Sequence, residues 1–135
     1  VKCAEAAADA NLATVDWHHH ESLFKECLQH PVLQGLAHKY FTRLGEEVPL
    51  PPEGAGGGTT DVGAVTWVCP TIQIGYKITD VRGHSREMAD ATVTREGIDK
   101  TLMAAKVLAF MASELLLEPG ALAEARKHMD ERKNA

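Results

Sequence analysis

The sequence has few aromatic residues and no excess of positive charge. Only 5% of its 135 residues are aromatic, and its formal net charge at pH 7 is -5. Proteins that bind nucleic acid cluster lysine and arginine to contact the phosphates, and those that bind single strands add aromatic side chains on which bases stack. The chain has neither pattern, so its composition argues against a nucleic-acid partner.

Long apolar segments are also missing. The most apolar stretch, residues 102–117, is interrupted by Lys106, Ser113 and Glu114. A helix that spans a bilayer needs about 20 predominantly apolar residues. We therefore predict no membrane partner, and we expect a chain of this length to fold as about one domain.

Cysteine is scarce, and its spacing excludes one kind of site. The three cysteines, Cys3, Cys27 and Cys69, are far apart and form no Cys-x-x-Cys pair. A structural zinc site is therefore not predicted. We interpret the cysteines as reduced thiols of a cytoplasmic protein, with Cys69 packed rather than catalytic.

Most of the predicted secondary structure is helical. We predict helices over residues 1–12, from Pro31 to a stop at Gly45, over residues 61–67 with Thr60 as the N-cap, and over residues 95–117 with Thr94 as the N-cap. A last helix carries Leu122, Ala125 and Met129, and we expect the charged tail from Asp130 onward to be frayed. The segment that precedes Pro31 also places Leu23, Phe24, Cys27 and Leu28 at helical spacing. The longest predicted helix carries an apolar stripe that we expect to face the core: Ile98, Leu102, Ala105, Ala109, Ala112 and Leu116.

Two short segments favour β-strands. Residues 13–17 are rich in β-forming residues, and residues 71–78 alternate Ile72, Ile74, Tyr76 and Ile78 with other residues. Two strands are too few for a sheet of the usual size. Either the chain is mostly helical, or other sequence completes its sheet.

A glycine-rich loop is the first candidate site. Residues 56–61 read Gly-Gly-Gly-Thr-Thr-Asp and open a predicted helix. Such a loop can present backbone N–H groups to an anion. The lysine of a nucleotide-binding phosphate loop is absent, since Gly58 precedes Thr59. On the local pattern, an anion site and a flexible loop capped by Thr60 remain alternatives.

Histidines supply the other candidates. Residues 83–87 read Gly-His-Ser-Arg-Glu, which places His84 in a turn where it could bind a metal or carry a proton, with Glu87 near enough to orient it. The alternative is a surface histidine, because one histidine alone is not a metal site. We interpret residues 18–20, three consecutive histidines, as structural or as an adventitious metal binder. We predict surface or boundary positions for the remaining histidines: His30, His38 and His128.

The order of these motifs resembles a known family. Residues 58–71 read Gly-Thr-Thr-Asp-Val-Gly-Ala-Val-Thr-Trp-Val-Cys-Pro-Thr, and Gly83-His84-Ser85 and a long alanine-rich helix follow. This arrangement resembles the C-terminal part of the M20 family of metal-dependent amidohydrolases. The branch it resembles contains the B subunit of p-aminobenzoyl-glutamate hydrolase.

The resemblance implies an α/β fold. Residues 1–17 would be the last helix and strand of an inserted lid domain that mediates dimerisation. Residues 18–135 would be the C-terminal portion of a zinc-peptidase-like catalytic domain. In that family His84 matches the last metal ligand, and the loop matches a segment of the substrate cleft near the substrate carboxylate: Gly57, Gly58, Thr59 and Thr60.

The resemblance also implies an activity. The full-length protein would cleave N-acyl or N-aroyl amino acids, such as p-aminobenzoyl-glutamate, with a divalent metal, zinc or manganese, and would form a homodimer or pair with a second subunit. The general base and the remaining ligands lie in sequence upstream of Val1, so we expect this chain alone to be inactive. The chain also begins with Val1, inside a predicted helix, which indicates a fragment. The alternative is a truncated, non-catalytic binding or assembly module.

Overall fold

The described part of the chain is helical. The computed structural model describes residues 1–19, 24–48 and 60–133. They form six helices: α1 (Lys2–Ala10), α2 (Pro31–Arg43), α3 (Val62–Thr66), α4 (Arg86–Thr92), α5 (Arg95–Leu117) and α6 (Pro119–Lys133). No β-strand occurs within those ranges. The prediction of an α/β fold is therefore wrong.

The segment 71–78 shows why the strand prediction failed. It has no regular secondary structure, and Ile72 and Ile74 are half-buried against the core, as their alternation predicts. No neighbouring strand pairs with it in the described ranges. Instead, the side chain of Gln29 donates to the carbonyl of Gln73 and accepts from its N–H, both at 3.2 Å. A glutamine amide thus satisfies the backbone groups that a partner strand would otherwise bind. Residues 13–17 are likewise not a strand.

The predicted ends of α2 are confirmed. Pro31 occupies the first turn, where its missing N–H costs no helical hydrogen bond. Gly45 follows the last turn with a φ of 82°, a conformation that favours glycine. The N–H of Gly45 donates to Thr42 O and that of Glu46 donates to Phe41 O, each at 3.0 Å. These two bonds form a Schellman motif, which closes the helix.

The core lies where α2, α5 and α6 pack together. Phe41 from α2, Val107 from α5 and Ala125 from α6 are each at most 1% exposed. The remaining members of the buried cluster are Leu33, Ala37 and Met111. Met129 of α6 is also buried, as its predicted place in the last helix indicates. The apolar faces of three helices therefore supply most of the buried surface.

The apolar stripe predicted to bury α5 is instead exposed. All six of its residues are solvent-exposed, with Ile98 at 46%, Leu102 at 55% and Leu116 at 82%. The helix buries a different face, formed by Gly97, Ala104, Val107 and Met111. The error arises because α5 is apolar on two sides, and periodicity alone does not say which side has a partner.

Two shorter segments also differ from prediction. Residues 24–30 are not helical; the backbone N–H of Leu28 instead donates to Thr66 Oγ1 at 3.1 Å. Leu23 lies outside the described residues. Conversely, α4 occurs where we predicted no helix; Ser85 caps it by accepting a hydrogen bond from Met88 N at 3.1 Å.

Candidate functional site

His84 lies at the turn that enters α4. Its φ of 59° is in the left-handed region, which few non-glycine residues adopt, although histidine does so more readily than most. Ser85 fixes the turn from the next position: its Oγ donates to Arg82 O at 2.8 Å and accepts from Met88 N. The imidazole of His84 is exposed. The sequence motif therefore forms a defined turn that presents the histidine to solvent.

The described residues do not complete a metal site around His84. No group of three or more histidine, cysteine, aspartate or glutamate side chains that could hold an ion occurs among them. A catalytic zinc site takes about three protein ligands. The residues present therefore do not fit a resident metal by themselves, and His84 remains a predicted ligand without described partners.

The predicted substrate loop is described only at its end. Gly57, Gly58 and Thr59 lie outside the described residues. Thr60 follows them, and its Oγ1 donates to Gln73 Oε1 at 3.2 Å. Gln73 is the residue whose backbone binds Gln29, so the Thr60 hydroxyl links the end of the loop to segment 71–78.

The start of α3 is not arranged to bind an anion. Asp61, rather than Thr60, is its N-cap and accepts from Val62 N at 3.0 Å. The next two N–H groups donate to Thr60 O and Asp61 O, at 3.0 and 3.1 Å. Because these donors are engaged and Asp61 is negatively charged, a substrate carboxylate would gain little from this helix end. Any anion site here depends on the loop and on the Thr60 hydroxyl.

α3 is nevertheless held firmly against the rest of the chain. The hydroxyl of Thr66, 1% exposed, accepts from Leu28 N and donates to Gly63 O at 2.7 Å. The carbonyl of Thr66 accepts from Arg132 Nη2 of α6 at 2.6 Å. These bonds fix the short helix that follows the predicted loop.

Sequence reasoning missed a polar cluster between α2 and α5. Glu114 Oε2 accepts from Lys39 Nζ and from Tyr40 Oη, both at 2.6 Å. These hydrogen bonds, from Lys39 first and then Tyr40, lower the pKa of Glu114, and the bond to Glu114 raises the pKa of Tyr40. The cluster lines an open groove of about 680 Å³ that Phe110, stacked on Tyr40, also borders. Glu114 lies more than 70 residues from Lys39 and Tyr40 in the sequence, so no local pattern indicates the cluster.

A contact between two histidines was also missed. His30, predicted at a boundary or on the surface, is 1% exposed, and its Nε2 lies 3.0 Å from Ala125 O. Its ring lies 4.9 Å from that of His128, centroid to centroid. Of the three consecutive histidines, His18 and His19 are exposed and His20 lies outside the described residues. His19 stands edge-on to Trp17.

Comparison with known proteins identifies no relative: neither a protein-family model, nor a curated protein, nor a solved structure matches the chain. Among the residues that the structure describes, no helix combines the length and apolar content that crossing a bilayer requires.

Proposed function

We propose that this chain is the C-terminal part of a metal-dependent amidohydrolase of the M20 type, which hydrolyses the amide bond of N-acyl or N-aroyl amino acids such as p-aminobenzoyl-glutamate. The proposal rests on the resemblance carried by residues 58–71 and by Gly83-His84-Ser85. In the active protein His84 binds a divalent metal, zinc or manganese, and residues 57–60 contact the substrate carboxylate. We place the protein in the cytoplasm, where its three free cysteines would stay reduced.

The observation that carries this proposal is the conformation of His84. A residue held in the left-handed region by its surroundings is a feature that occurs at functional sites. Here the cap formed by Ser85 and its bond to Arg82 O hold the turn, and the imidazole stays exposed. An exposed imidazole in a fixed turn can bind a metal ion whose other ligands come from residues outside the described ranges.

The proposal assigns no catalytic step to the described residues. Their side chains form no complete metal site, so the further ligands and the general base come from elsewhere in the protein. On this proposal we expect the isolated chain to be inactive, because the resemblance places the general base upstream of it. A preparation of these 135 residues that hydrolyses p-aminobenzoyl-glutamate at a rate proportional to its concentration would contradict this part of the proposal.

The test begins with the native gene product. Its intact mass, measured by top-down mass spectrometry, should exceed the 14.6 kDa of this chain. That protein should then be compared with its His84→Asn variant, because asparagine tolerates the left-handed conformation and the turn is preserved. We expect the variant to lose bound metal, measured by elemental analysis, and to lose p-aminobenzoyl-glutamate hydrolysis.

The matched control is His38→Asn. His38 is also exposed, and its Nδ1 lies 3.0 Å from Val48 O. Its substitution should leave metal content and activity unchanged. If His84→Asn retains both metal and activity, His84 is not a ligand and the proposal fails.

A second candidate function is a non-catalytic assembly module. It is favoured by the amount of apolar surface that the described residues leave open: Val68, Val93, Leu116 and Leu117 are each at least 70% exposed. A native product of about the size of this chain, without metal and without hydrolytic activity, would favour this function over the first.

A further inference from the structure

The groove beside the Lys39–Tyr40–Glu114 cluster is large enough to hold a small molecule. It has a volume of about 680 Å³ and is lined by residues of α2, by the C-terminal half of α5 and by the start of α6. Small-molecule sites in proteins have volumes of this order. The chemistry of the lining therefore decides which class of ligand the groove would take.

Glu114 is a fixed anion in this groove. Its Oε2 accepts from both Lys39 Nζ and Tyr40 Oη, and these bonds lower the pKa of the carboxyl group, which is therefore ionised at neutral pH. Its Oε1 accepts no hydrogen bond from any residue that the structure describes, although only 18% of the side chain is exposed. A carboxylate that two donors hold in place, with one oxygen left free, is a ready acceptor for a cationic donor.

Phe110 supplies an aromatic surface next to this carboxylate. It lies four residues before Glu114 on α5, and it lines the same groove. One face of its ring stacks on Tyr40 at 5.3 Å between centroids, yet the residue is still 45% exposed. Lys39 and Arg43 lie over the ring of Tyr40, whereas no described lysine or arginine lies over that of Phe110. Phe110 thus offers apolar contact area and a ring face that attracts cations.

Negative charges outnumber positive ones around the groove. Glu118 and Glu124 line it as exposed residues, and neither forms an ion pair with a described residue. Together with Glu114 they give three negative charges. Lys39 is the one basic residue of the lining, and even with the nearby Arg43 an excess of one negative charge remains. A cleft lined by charge of one sign concentrates ligands of the opposite sign.

We propose that this groove binds a small organic cation, in which an ammonium group is attached to a flat apolar body. The ammonium group donates to Glu114 Oε1, and Glu118 and Glu124 attract its charge. The apolar body lies against Phe110 and the exposed Leu117. An anion would be repelled by three carboxylates, and a neutral molecule would gain nothing from them. This site does not depend on the proposed function.

Titration with phenethylamine, followed by ¹H–¹⁵N NMR of the 135-residue chain, tests the site. Because the groove is open and the probe is small, we expect weak, saturable binding with a Kd of about 0.1–5 mM. The shifts should centre on amides that line the groove, such as those of Ser113, Leu117 and Gly120. 2-Phenylethanol, which lacks the charge, and 3-phenylpropionate, which reverses it, should each bind at least about tenfold more weakly.

Two variants assign the interactions to their residues. Glu114→Gln removes the central charge but keeps an acceptor for Tyr40, and it should weaken phenethylamine binding about tenfold. Glu96→Gln, the same change at an exposed position of α5 outside the groove, should bind as the unmodified chain does. Phe110→Ala should weaken binding about two- to fivefold, whereas Leu108→Ala, at an exposed position of the same helix, should not.

The NMR spectra also report whether each variant is folded. If Glu114→Gln does not fold, Phe110→Ala still tests the site, because Phe110 is partly exposed. The proposal is overturned by the absence of saturable shifts up to about 20 mM phenethylamine, or by shifts that centre outside the groove. Binding of 2-phenylethanol as tight as that of phenethylamine overturns it too, and so does phenethylamine binding that Phe110→Ala leaves unchanged.

Discussion

The imidazole of His30 meets that of His128 edge-on, at 4.9 Å between ring centroids and an interplanar angle of 67°. His30 precedes α2 and His128 belongs to α6, so the contact joins the two helices. A backbone carbonyl can only accept a hydrogen bond. Nε2 of His30 must therefore be protonated, and it donates to Ala125 O. Its Nδ1, like that of His128, is buried without a hydrogen-bond partner. His30 is therefore packed in its neutral form.

This packing predicts that the fold loses stability in mild acid. Burial lowers the pKa of His30 below 6.5; the bond to Ala125 O opposes that shift, and the charges of His128 and Arg132 add to it. The unfolded chain then binds a proton at a higher pH than the folded chain does. The contribution of His30 is complete above about pH 6.5 and declines as pH falls through that value toward the folded-state pKa.

Urea unfolding between pH 7.5 and pH 5 measures this effect. We expect the free energy of unfolding of the unmodified chain to fall over that range, and that of His30→Gln to fall less, because glutamine can donate to Ala125 O but does not titrate. His38→Gln, at an exposed histidine, should follow the unmodified chain. Parallel pH dependence for the unmodified chain and His30→Gln would exclude His30 as the cause.

Two helical glycines should respond in opposite directions to alanine. A Cβ on Gly97, in the first turn of α5, would lie 2.2 Å from Ala91 O, a backbone atom that cannot move aside freely. A Cβ on Gly35, within α2, would meet no atom within 4 Å. Gly97→Ala should therefore lower the free energy of unfolding by about 1–3 kcal/mol, and Gly35→Ala should raise it by about 1 kcal/mol. Thermal and urea unfolding of both variants check the pair, and equal effects would contradict the close approach at Gly97.

Two helix ends were predicted correctly from local signals. Thr94, predicted as the cap of α5, accepts from Gly97 N at 3.1 Å, and Gly45 ends α2. Caps and turns depend on the conformations that a few neighbouring residues allow, so a single sequence contains them. Ser85 provides the same signal for α4, with Glu87 in the first turn, and the helix could have been predicted from it.

The long-range features could not be predicted in this way. Which side of α5 is buried depends on where α2 and α6 lie, and Val107 and Leu102 are equally apolar in the sequence. Whether residues 71–78 pair as a strand depends on a neighbour, and here Gln29 takes that place at Gln73. The same holds for the candidate site. The turn at His84 depends on neighbouring residues and could be predicted from the sequence, whereas the position of any further metal ligand could not.

Thr66 should be the most sensitive polar residue in the described fold. Its buried hydroxyl accepts from Leu28 N and donates to Gly63 O. Thr66→Val keeps the shape of the side chain but leaves the Leu28 N–H without its partner, so we expect a loss of about 1–3 kcal/mol in unfolding free energy. Thr66→Ser keeps the hydroxyl and should lose less. Equal losses for the two variants would show that the methyl group, and not the hydrogen bonds, stabilises this position.

The left-handed conformation of His84 gives a prediction that is independent of metal binding. At a φ of 59°, glycine pays no steric cost and asparagine little, whereas a β-branched side chain collides with its own backbone. His84→Gly and His84→Asn should therefore unfold within about 0.5 kcal/mol of the unmodified chain, and His84→Val should be about 1–2 kcal/mol less stable. Urea unfolding of the 135-residue chain, with metal chelated, measures the three variants. If valine is tolerated as well as asparagine, the turn is not fixed in this conformation, and the structural support for His84 as a ligand is removed together with it.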